Sequence, residues 1–233
     1  LIHEIGHALG LKHPFESDRG NASVLSNYED QSKFTVMSYD YDASTFNGDF
    51  RVLDWMILAK YYGVNSNFNA NDNVYSFSAI NGVFIVDGDG SDTINSSESE
   101  EDSFIDLRPG THSYIGEKAI FITFPNQLTI SHGSNIENVH TGSGNDTIIG
   151  NDLSNMLRSG AGNDQIFAGE GADIIDPGAG FDIIDLSESG SSEDKLCLDN
   201  YDDGKAFDTV YGFVQGVSGD TLDLTNLELG SFN

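Results

Sequence analysis

The chain has 233 residues, of which 38 are acidic and 10 are basic, so its formal net charge is −28. This excess of negative charge argues against nucleic acid or an anionic membrane surface as a partner, because like charges repel. Hydrophobic residues make up 38% of the chain, which is enough for a folded core once a cation neutralises the acids. Cys197 is the only cysteine, which excludes an intrachain disulfide. No apolar run approaches the length of a membrane span, so we expect no membrane insertion.

The first predicted element is a helix from the N-terminus to about Leu9, and it carries a metal-binding motif. The run from His3 to His13 reads H-E-x-x-H-x-x-G-x-x-H. Residues four apart lie on one face of a helix, so His3 and His7 direct two imidazoles toward one ion. Gly10 lets the backbone leave the helix and brings His13 round as a third nitrogen ligand. Three nitrogens around Zn²⁺ leave one position for water, as in catalytic sites.

Two further residues belong to the predicted zinc site. Glu4 follows the first histidine and can lie beside the metal without binding it, where a general base belongs. Downstream, residues 34–39 read F-T-V-M-S-Y, and Met37 would place an apolar side chain beneath the histidines. The alternative is a surface helix with incidental histidines, a core methionine and an ordinary surface tyrosine at Tyr39. The combination of motifs disfavours that alternative.

Residues 3–14, together with Met37, Ser38 and Tyr39, resemble the serralysin family, the secreted bacterial zinc metalloproteases of the metzincin group. The resemblance implies that Glu4 is the catalytic base and that Tyr39 is an additional, displaceable zinc ligand. It also implies three histidine ligands to zinc, which are His3, His7 and His13.

The sequence departs from the serralysin pattern at two places. Residues 15–18 read F-E-S-D, where the family commonly has a glycine after the proline. Asp40 follows Tyr39, where an aromatic residue is frequent. We expect these departures to affect substrate preference more than the chemistry.

The motif begins at the third residue of a chain that starts with Leu. We therefore expect the chain to be a fragment that lacks the N-terminal part of the catalytic domain. By resemblance, metzincins bind substrate along a sheet that precedes this helix, so we expect the 233 residues alone to show little peptidase activity. The family also continues beyond a segment like residues 219–224 and ends in an export signal, so we expect the C-terminus to be missing as well.

A second helix is predicted from about Val52 to Tyr62, and Gly63 ends it. We assign its apolar face to core packing, and this face consists of Leu53, Met56, Ile57 and Tyr61. Residues 1–65 form the first predicted unit, the C-terminal part of a metalloprotease catalytic domain. Residues 64–80 are rich in Asn and Ser and are predicted to be a linker.

The second predicted unit, residues 66–233, contains a nine-residue repeat at about 141–186. Its pattern is G-G-x-G-x-D-x-U-x, in which the first glycine is mostly lost. The sixth position of successive copies holds Asp146, Asn155, Asp164, Asp173 and Asp182. The eighth position holds Ile148, Leu157, Ile166, Ile175 and Ile184. A Gly/Asp-rich surface loop is the alternative, and five copies in register with an apolar residue disfavour it.

Each copy combines a glycine-rich turn, which exposes backbone carbonyls, with a short strand whose apolar residue points inward. Carbonyl and carboxylate oxygens are hard ligands that suit Ca²⁺. If two copies make one coil, Asp146, Asp164 and Asp182 form one file and Asn155 and Asp173 form another. Ca²⁺ would then lie between successive turns of each file. This segment resembles the RTX parallel β-roll, which follows the protease domain in serralysins.

Two segments are weaker copies of the repeat. In residues 150–158, Asn151, Leu153 and Asn155 replace Gly, Gly and Asp, so we expect weaker calcium binding on that side. Residues 87–94 read D-G-D-G-S-D-T-I, and by family resemblance they would hold a further Ca²⁺ with residues 69–73. A plain hairpin turn is the alternative for residues 87–94.

The complete set of predicted calcium residues is Asp87, Asp89, Asp92, Gly142, Gly144, Asp146, Asn155, Gly160, Gly162, Asp164, Gly169, Gly171, Asp173, Gly178, Gly180 and Asp182. Other reactive side chains lack a motif. We expect Cys197 to be a buried apolar residue rather than a nucleophile, and we expect ordinary surface or strand residues at His112, His132 and His140.

The expected fold is an α+β remnant of a metzincin catalytic domain followed by an all-β domain that contains a parallel β-roll. The expected parent protein is a secreted, extracellular zinc-dependent endopeptidase that is stabilised by calcium and cleaves protein or peptide substrates. It would be a monomer, exported by bacterial machinery of the one-step type that the family implies. The alternative is a calcium-dependent RTX binding or adhesion module with a vestigial zinc site. The intact set of His3, Glu4, His7 and His13 disfavours a third possibility, a non-protease RTX enzyme.

Overall fold

The computed structural model describes residues 1–16, 24–40, 49–190, 192–198, 208–216 and 219–224. Within these residues, helices α1 (Ile2–Ala8) and α2 (Val52–Tyr62) precede all the strands. The strands are β1 (Val74–Ser76), β2 (Val83–Ile85), β3 (Thr93–Asn95), β4 (Ser103–Asp106), β5 (His112–Ile115), β6 (Gln127–Ile130), β7 (Asn138–His140), β8 (Thr147–Ile149), β9 (Met156–Arg158), β10 (Gln165–Phe167), β11 (Ile174–Asp176), β12 (Ile183–Asp185), β13 (Lys195–Cys197), β14 (Thr209–Tyr211) and β15 (Thr221–Asp223).

The strands form two sheets that share one apolar core. One sheet has the order β1-β3-β7-β9-β11-β13-β15, and every neighbouring pair in it is parallel. The other has the order β14-β12-β10-β8-β4-β5-β6-β2, in which only β5 runs antiparallel to its neighbours. Ile148, Ile166 and Ile184 from one sheet and Leu157 and Ile175 from the other lie in the same buried cluster. The described β strands therefore form a double-layered parallel coil with one inserted hairpin.

The register of the coil follows the nine-residue repeat. Ile166 of β10 lies opposite Ile148 of β8 on one side and opposite Ile184 of β12 on the other. In the opposite sheet, Leu157 pairs with Ile175. Successive copies thus alternate between the sheets, and every second copy stacks on its predecessor. The prediction of two nonapeptides per turn is confirmed.

The coil is longer than the repeat predicts. Upstream strands β3 and β7 extend the first sheet, and β1 pairs with β3 through Val74 and Thr93. The prediction of a linker over residues 64–80 is therefore wrong at residues 74–76, where backbone pairing rather than composition decides the structure. Downstream, β13, β14 and β15 continue both sheets beyond the last glycine-rich copy.

Helix α2 has the predicted bounds, and it ends at Gly63 with a φ of 76°, which a glycine adopts without strain. Its predicted apolar face is only partly correct. Leu53 is buried, but Ile57 is 46% exposed and Tyr61 is 76% exposed. Leu58 and Ala59 are buried instead, together with Asp54. Contacts of Asp54 with the segment before it, described below, set the rotation of the helix.

Cys197 does not take the buried position that we expected. Its neighbour Leu196 is 1% exposed and points into the core, whereas Cys197 is partly exposed. The two residues are adjacent on β13, and successive side chains of a strand point to opposite faces.

Candidate metal centre

The three histidines of the motif converge. His3 and His7 lie on α1, and the chain turns at Gly10, whose φ is +93°. The Nε2 atom of His13 lies 3.2 Å from that of His7 and 3.3 Å from that of His3. Among the described residues, these histidines are the one group of three or more potential ligands close enough to hold a metal ion.

The outer nitrogen of each ring has an oxygen partner. Nδ1 of His3 lies 2.8 Å from the carbonyl oxygen of Val36, and Nδ1 of His7 lies 3.0 Å from that of Leu11. Because a carbonyl only accepts hydrogen bonds, both Nδ1 atoms carry the proton, and both Nε2 atoms present a lone pair. The tautomers follow from this network.

His13 has a different partner, because its Nδ1 lies 2.9 Å from a carboxylate oxygen of Glu16. The hydrogen bond from His13 lowers the pKa of Glu16 below its usual value. Sequence reasoning missed Glu16, although its place three residues after a predicted ligand was a usable signal. A carboxylate on the outer nitrogen of a ligating histidine is a common supporting contact in zinc sites.

The geometry fits Zn²⁺. When His13 carries its proton on Nδ1, which faces Glu16, its Nε2 lone pair faces those of His3 and His7 at 3.2–3.3 Å, and such lone pairs repel unless a cation lies between them. Tetrahedral Zn–N bonds of about 2.0–2.1 Å place neighbouring nitrogens about 3.3 Å apart. The His7–His13 and His3–His13 distances therefore match this spacing, and the donor set is that of a three-histidine zinc centre.

Met37 lies beneath the helix that carries two of the histidines. It is 1% exposed, and a β-carbon built on Gly6 would lie 2.5 Å from its sulfur. Residue 6, which faces Met37, must therefore have a small side chain or none, as Gly6 does. Glu4 itself is exposed, on the side of α1 away from this packing.

Two aromatic rings border the histidine cluster. The ring centroid of Tyr39 lies 4.6 Å from that of His13 and 5.7 Å from that of His3, and Tyr39 is 66% exposed. Phe15 stacks on His13 at 5.1 Å with an interplanar angle of 5°. Phe15 is one of the departures from the family pattern. The last two positions of that departure, Ser17 and Asp18, lie outside the described residues.

Asp54 supports the segment that contains Met37, and sequence reasoning missed it. Its carboxylate accepts a 2.6 Å hydrogen bond from the Thr35 hydroxyl and a 2.9 Å hydrogen bond from the Val36 amide. It also accepts from the Arg51 amide at 2.8 Å, as an acidic residue near a helix N-terminus often does. Burial raises the pKa of Asp54. An acid in the first turn of α2 was the available signal.

The predicted calcium file of Asp146, Asp164 and Asp182 is a continuous ladder. The amide of Asp146 donates to Oδ1 of Asp164 at 2.7 Å, and the amide of Asp164 donates to Oδ1 of Asp182 at 2.8 Å. Oδ2 of Asp146 and Oδ2 of Asp164 are buried without a hydrogen-bond partner among the described residues. A buried carboxylate oxygen without a donor is costly, and a bound cation relieves that cost. Burial raises the pKa of Asp164 to about 6.

The opposite file contains Asn155 and Asp173 and continues further than predicted. The amide of Asn155 donates to Oδ1 of Asp173, whose own amide donates to Asp194. The backbone amide of Asp194 in turn donates to Oδ1 of Asp220. The spacings of 21 and 26 residues hide Asp194 and Asp220 from a search for a nine-residue period. Oδ2 of Asp173 is also buried without a hydrogen-bond partner, and burial raises its pKa to about 8.

The degenerate copy satisfies its own polar groups. The side-chain amide of Asn155 donates to Oδ1 of Asn151 at 3.0 Å, and its oxygen accepts from the Asn151 amide at 2.9 Å. The side-chain nitrogen of Asn151 donates to the carbonyls of Leu107 and Ile136. The side-chain nitrogen of Asn155 thus has a partner, whereas the Oδ2 atoms of its aspartate counterparts named above have none among the described residues, and Asn151, at a glycine position of the repeat, supplies that partner. Weaker calcium binding at this turn stays a prediction, now with a physical reason.

The predicted glycines lie where turns stack most closely. A β-carbon on Gly160 would lie 2.2 Å from the carbonyl oxygen of Gly142, and one on Gly162 would lie 2.1 Å from that of Gly144. Both have φ values in the left-handed region, at +93° and +129°. A β-carbon on any of the other predicted glycines would lie 1.6 to 2.6 Å from a backbone atom, and these are Gly142, Gly144, Gly169, Gly171, Gly178 and Gly180.

Residues 87–94 form a turn between the sheets, and the hairpin alternative is wrong because β2 and β3 belong to different sheets. Asp87 and Asp92 are buried, and the Tyr75 hydroxyl donates to Asp87. The amide of Asn73, from the expected upstream partner, donates to Asp92 at 2.8 Å. Burial raises the pKa of Asp92 to about 6.

The third predicted acid of this segment, Asp89, is exposed, and its carboxylate accepts from the amide of Gly90. Glu137, which was not predicted, instead accepts from the Asp92 amide at 2.9 Å. Glu137 is 45 residues away in the chain, so no local pattern connects it to this turn.

The chain is similar to known proteins both in its repeat and over about two thirds of its length. The family model of the RTX calcium-binding nonapeptide repeat matches residues 133–152 and 149–184. A serralysin from Proteus mirabilis is 33% identical in an alignment of 182 positions that covers 67% of this chain and 36% of the relative. Serralysin G from Dickeya chrysanthemi is 35% identical over 67% of this chain and 37% of the relative. Metalloprotease AprA from Pseudomonas entomophila is 34% identical over 68% of this chain and 37% of the relative.

The chain is serralysin-like and carries RTX calcium-binding repeats. The resemblance stated from the motifs is thereby confirmed. The serralysin-like chain spans little more than a third of the length of the curated relatives that it matches. Zn²⁺ and Ca²⁺, the expected cofactors, agree with relatives named metalloproteases and with a repeat named for calcium binding. Among its described residues, neither helix is long and apolar enough to cross a bilayer.

Proposed function

We propose that this chain is part of a secreted zinc-dependent endopeptidase that is stabilised by calcium. The observation that supports the proposal most strongly is the convergence of three Nε2 atoms, two of them 3.2 Å apart, next to an exposed glutamate. In this proposal the zinc ligands are His3, His7 and His13, with Tyr39 as a displaceable fourth. Residues 1–65 then belong to the catalytic domain, and residues 66–233 form the calcium-binding domain.

Each residue of the site has a role in peptide hydrolysis. When bound, Zn²⁺ supplies a Lewis acid that polarises the scissile carbonyl and makes water more acidic. Glu4 takes the proton of the attacking water and delivers it to the leaving amine. Tyr39, at the rim of the cluster, donates a hydrogen bond to the oxygen that gains negative charge. The contacts at each Nδ1 hold the rings of His3, His7 and His13 in position.

Calcium has a structural role in this proposal. The chain carries a charge of −28, and several carboxylates are buried in stacked turns of the coil. Without a cation, their mutual repulsion and desolvation oppose folding. The chain would stay expanded where calcium is scarce, which suits export in an unfolded state by one-step bacterial machinery. It would then fold as a monomer outside the cell.

The deciding experiment compares wild type with Glu4→Ala in the protein completed from its gene upstream. Both are expressed with Ca²⁺ and Zn²⁺, and casein cleavage and bound zinc are measured. We expect Glu4→Ala to lose at least 99% of the activity, because proton transfer by a positioned base accelerates such reactions about 10²- to 10⁴-fold. Its zinc content is expected to stay unchanged.

Glu100→Ala is the matched control, because Glu100 is an exposed acid on the β domain. It should retain full activity. Equal cleavage by wild type and Glu4→Ala, or none by either, would contradict the enzyme proposal. The second of these results, with calcium-dependent folding retained, would favour the binding or adhesion module instead.

A further inference from the structure

Four aromatic residues, here called the aromatic bridge, connect the histidine-bearing part of the chain to the β domain. Tyr28 stacks on Phe121 at 5.5 Å and meets Phe124 edge-on at 4.8 Å. Tyr28 also contacts Phe34 at 5.7 Å, and Phe121 contacts Phe124 at 5.3 Å. Phe121 and Phe124 belong to the loop between β5 and β6, whereas Tyr28 and Phe34 precede α2.

On one side, the aromatic bridge is connected to the Met37 segment and to the loop that carries His13. Phe34 is buried and directly precedes Thr35, which is held by Asp54, and the Phe34 carbonyl accepts from the Leu53 amide. The segment of Tyr28 is fixed near its start as well, because the Leu25 amide donates to the carbonyl of Pro14 at 2.9 Å. Pro14 follows His13 in the chain. Tyr28 thus lies between the loop of the third histidine and the Met37 segment.

On the other side, the aromatic bridge rests on a loop that is internally braced. Gln127, at the start of β6, is 1% exposed. Its side-chain nitrogen donates to the carbonyls of Glu117 and Pro125, and its oxygen accepts from the Ala119 amide. At the tip of the loop, the carbonyl of Thr123 accepts from the Gly82 amide at 2.9 Å. These hydrogen bonds hold the loop in a defined conformation against the β domain that contains the predicted calcium-binding turns.

The same loop also borders a cavity beside the histidine site. Ile122 lies between the two phenylalanines in sequence and lines a cavity of about 540 Å³. His13, Thr35, Met37 and Asp54 line the same cavity. The loop therefore contacts Tyr28 through its two phenylalanines and shares a cavity with the residues around the metal centre.

We propose that Phe121 and Phe124 are positioning residues for the metal centre. Through Tyr28 and Phe34, they hold the Met37 segment and the His13 loop in place and so raise the affinity of the three histidines for Zn²⁺. This inference rests on the proposed function, because it takes the histidine cluster to be a zinc site. It adds that the folded β domain, and with it bound calcium, strengthens zinc binding.

The test measures zinc affinity rather than activity. Wild type, Phe121→Ala and Phe124→Ala of this chain are titrated with Zn²⁺ against a chromogenic competitor, in buffer saturated with Ca²⁺. We expect the Kd for zinc to rise about 10-fold in each variant, since residues that orient metal ligands typically affect affinity by 10- to 100-fold. Phe104→Ala is the matched control, because Phe104 stacks on Tyr114 within the β domain at 5.2 Å. Its Kd should not change.

Calcium dependence provides the second arm. In wild type, omitting Ca²⁺ should raise the Kd for zinc by a similar factor, whereas in a Phe121→Ala/Phe124→Ala double variant calcium should have little effect. Circular dichroism reports whether the β domain of each variant still folds with calcium. If Phe124→Ala does not fold, Phe124→Leu and Tyr28→Leu test the same contacts with less loss of packing.

The outcomes separate the two proposals. If wild type binds zinc, His3→Ala does not, and the folded Phe121 and Phe124 variants bind as tightly as wild type, the positioning role is overturned and the zinc site stands. If wild type itself does not bind zinc, both proposals are overturned. A loss of affinity in Phe104→Ala as large as in Phe124→Ala would also contradict the positioning role.

Discussion

Asp54 joins α2 to the Met37 segment by accepting a 2.6 Å hydrogen bond from the hydroxyl of Thr35, nineteen residues earlier in the chain. Thr35 passes this constraint on, because its hydroxyl oxygen accepts from the Met37 amide at 3.1 Å. Met37 packs against Gly6 of α1. A single buried carboxylate therefore holds the platform on which the helix of His3 and His7 rests.

Replacing Asp54 should weaken both the fold and the metal site. In Asp54→Ala, the Thr35 hydroxyl and Val36 amide lose their acceptor, which we expect to destabilise the helical part by about 3 kcal/mol. We also expect the Kd for zinc to rise at least 10-fold. Thermal unfolding and zinc titration measure the two effects. The control is Asp152→Ala, at an exposed position of the β domain. If Asp54→Ala had as small an effect as Asp152→Ala, the role of Asp54 would be refuted.

Glu16→Gln tests the carboxylate that faces Nδ1 of His13. Glutamine keeps the size of the side chain but removes the negative charge that makes the imidazole a better donor to a cation. Because Glu16 is half exposed, we expect an effect at the low end for such contacts, a roughly 10-fold weaker zinc affinity. Glu100→Gln should leave the affinity unchanged. Equal zinc affinity of Glu16→Gln and wild type would show that the contact does not support the site.

Without calcium, the stability of the β domain should fall as pH rises. Burial raises the folded-state pKa of Asp164 to about 6 and of Asp173 to about 8, above the ordinary 3.8. For each residue, at a pH between 3.8 and its folded-state pKa, the folded state binds more protons than the unfolded state. Rising pH through this interval therefore favours unfolding. For Asp164 alone, the difference between 3.8 and about 6 corresponds to roughly 3 kcal/mol. Saturating calcium should remove most of this dependence, because the cation replaces the protons.

The measurement is the Tm of the calcium-free chain between pH 4 and 8.5. Asp173→Asn and Asp152→Asn each remove one negative charge, but only Asp173 is buried without a partner for one oxygen. Asp173→Asn should therefore flatten the pH dependence, while Asp152→Asn should leave its shape unchanged. A calcium-free Tm that is constant or rises with pH would contradict the prediction.

Two glycine substitutions separate backbone strain from steric conflict. Gly10 and Gly162 both have positive φ, but a β-carbon on Gly10 meets no atom within 4 Å, whereas on Gly162 it would lie 2.1 Å from a carbonyl oxygen. Gly10→Ala should destabilise its region by about 1 kcal/mol, from backbone strain alone. Gly162→Ala should be more severe, at least about 3 kcal/mol, and should raise the calcium concentration needed for folding. The measurements are urea unfolding and calcium titrations followed by circular dichroism. An equal loss of stability in both variants would show that the close stacking of turns at Gly162 does not matter.

Much of the candidate site was predictable because its geometry is local. Residues four apart on a helix share a face, so the sequence predicts that His3 and His7 converge, and a glycine three residues later allows His13 to join them. The coil was predictable for a similar reason. A nine-residue period places Asp146 and Asp164 in equivalent positions, and the paired strands keep that register.

Other features depended on the tertiary structure. No sequence period connects the residues of three such features, which are the contact of Asp54 with Thr35, the contact of Glu137 with Asp92 and the aromatic bridge. The buried face of α2 likewise depends on contacts with distant segments. Insertions also move Asp194 and Asp220 out of the repeat. By itself, the sequence determined which residues can bind metals and the period with which the coil repeats, since both follow from spacing along the backbone. Which side chains hold those ligands in place was decided only by packing between distant segments, because burial and partner choice depend on the whole fold.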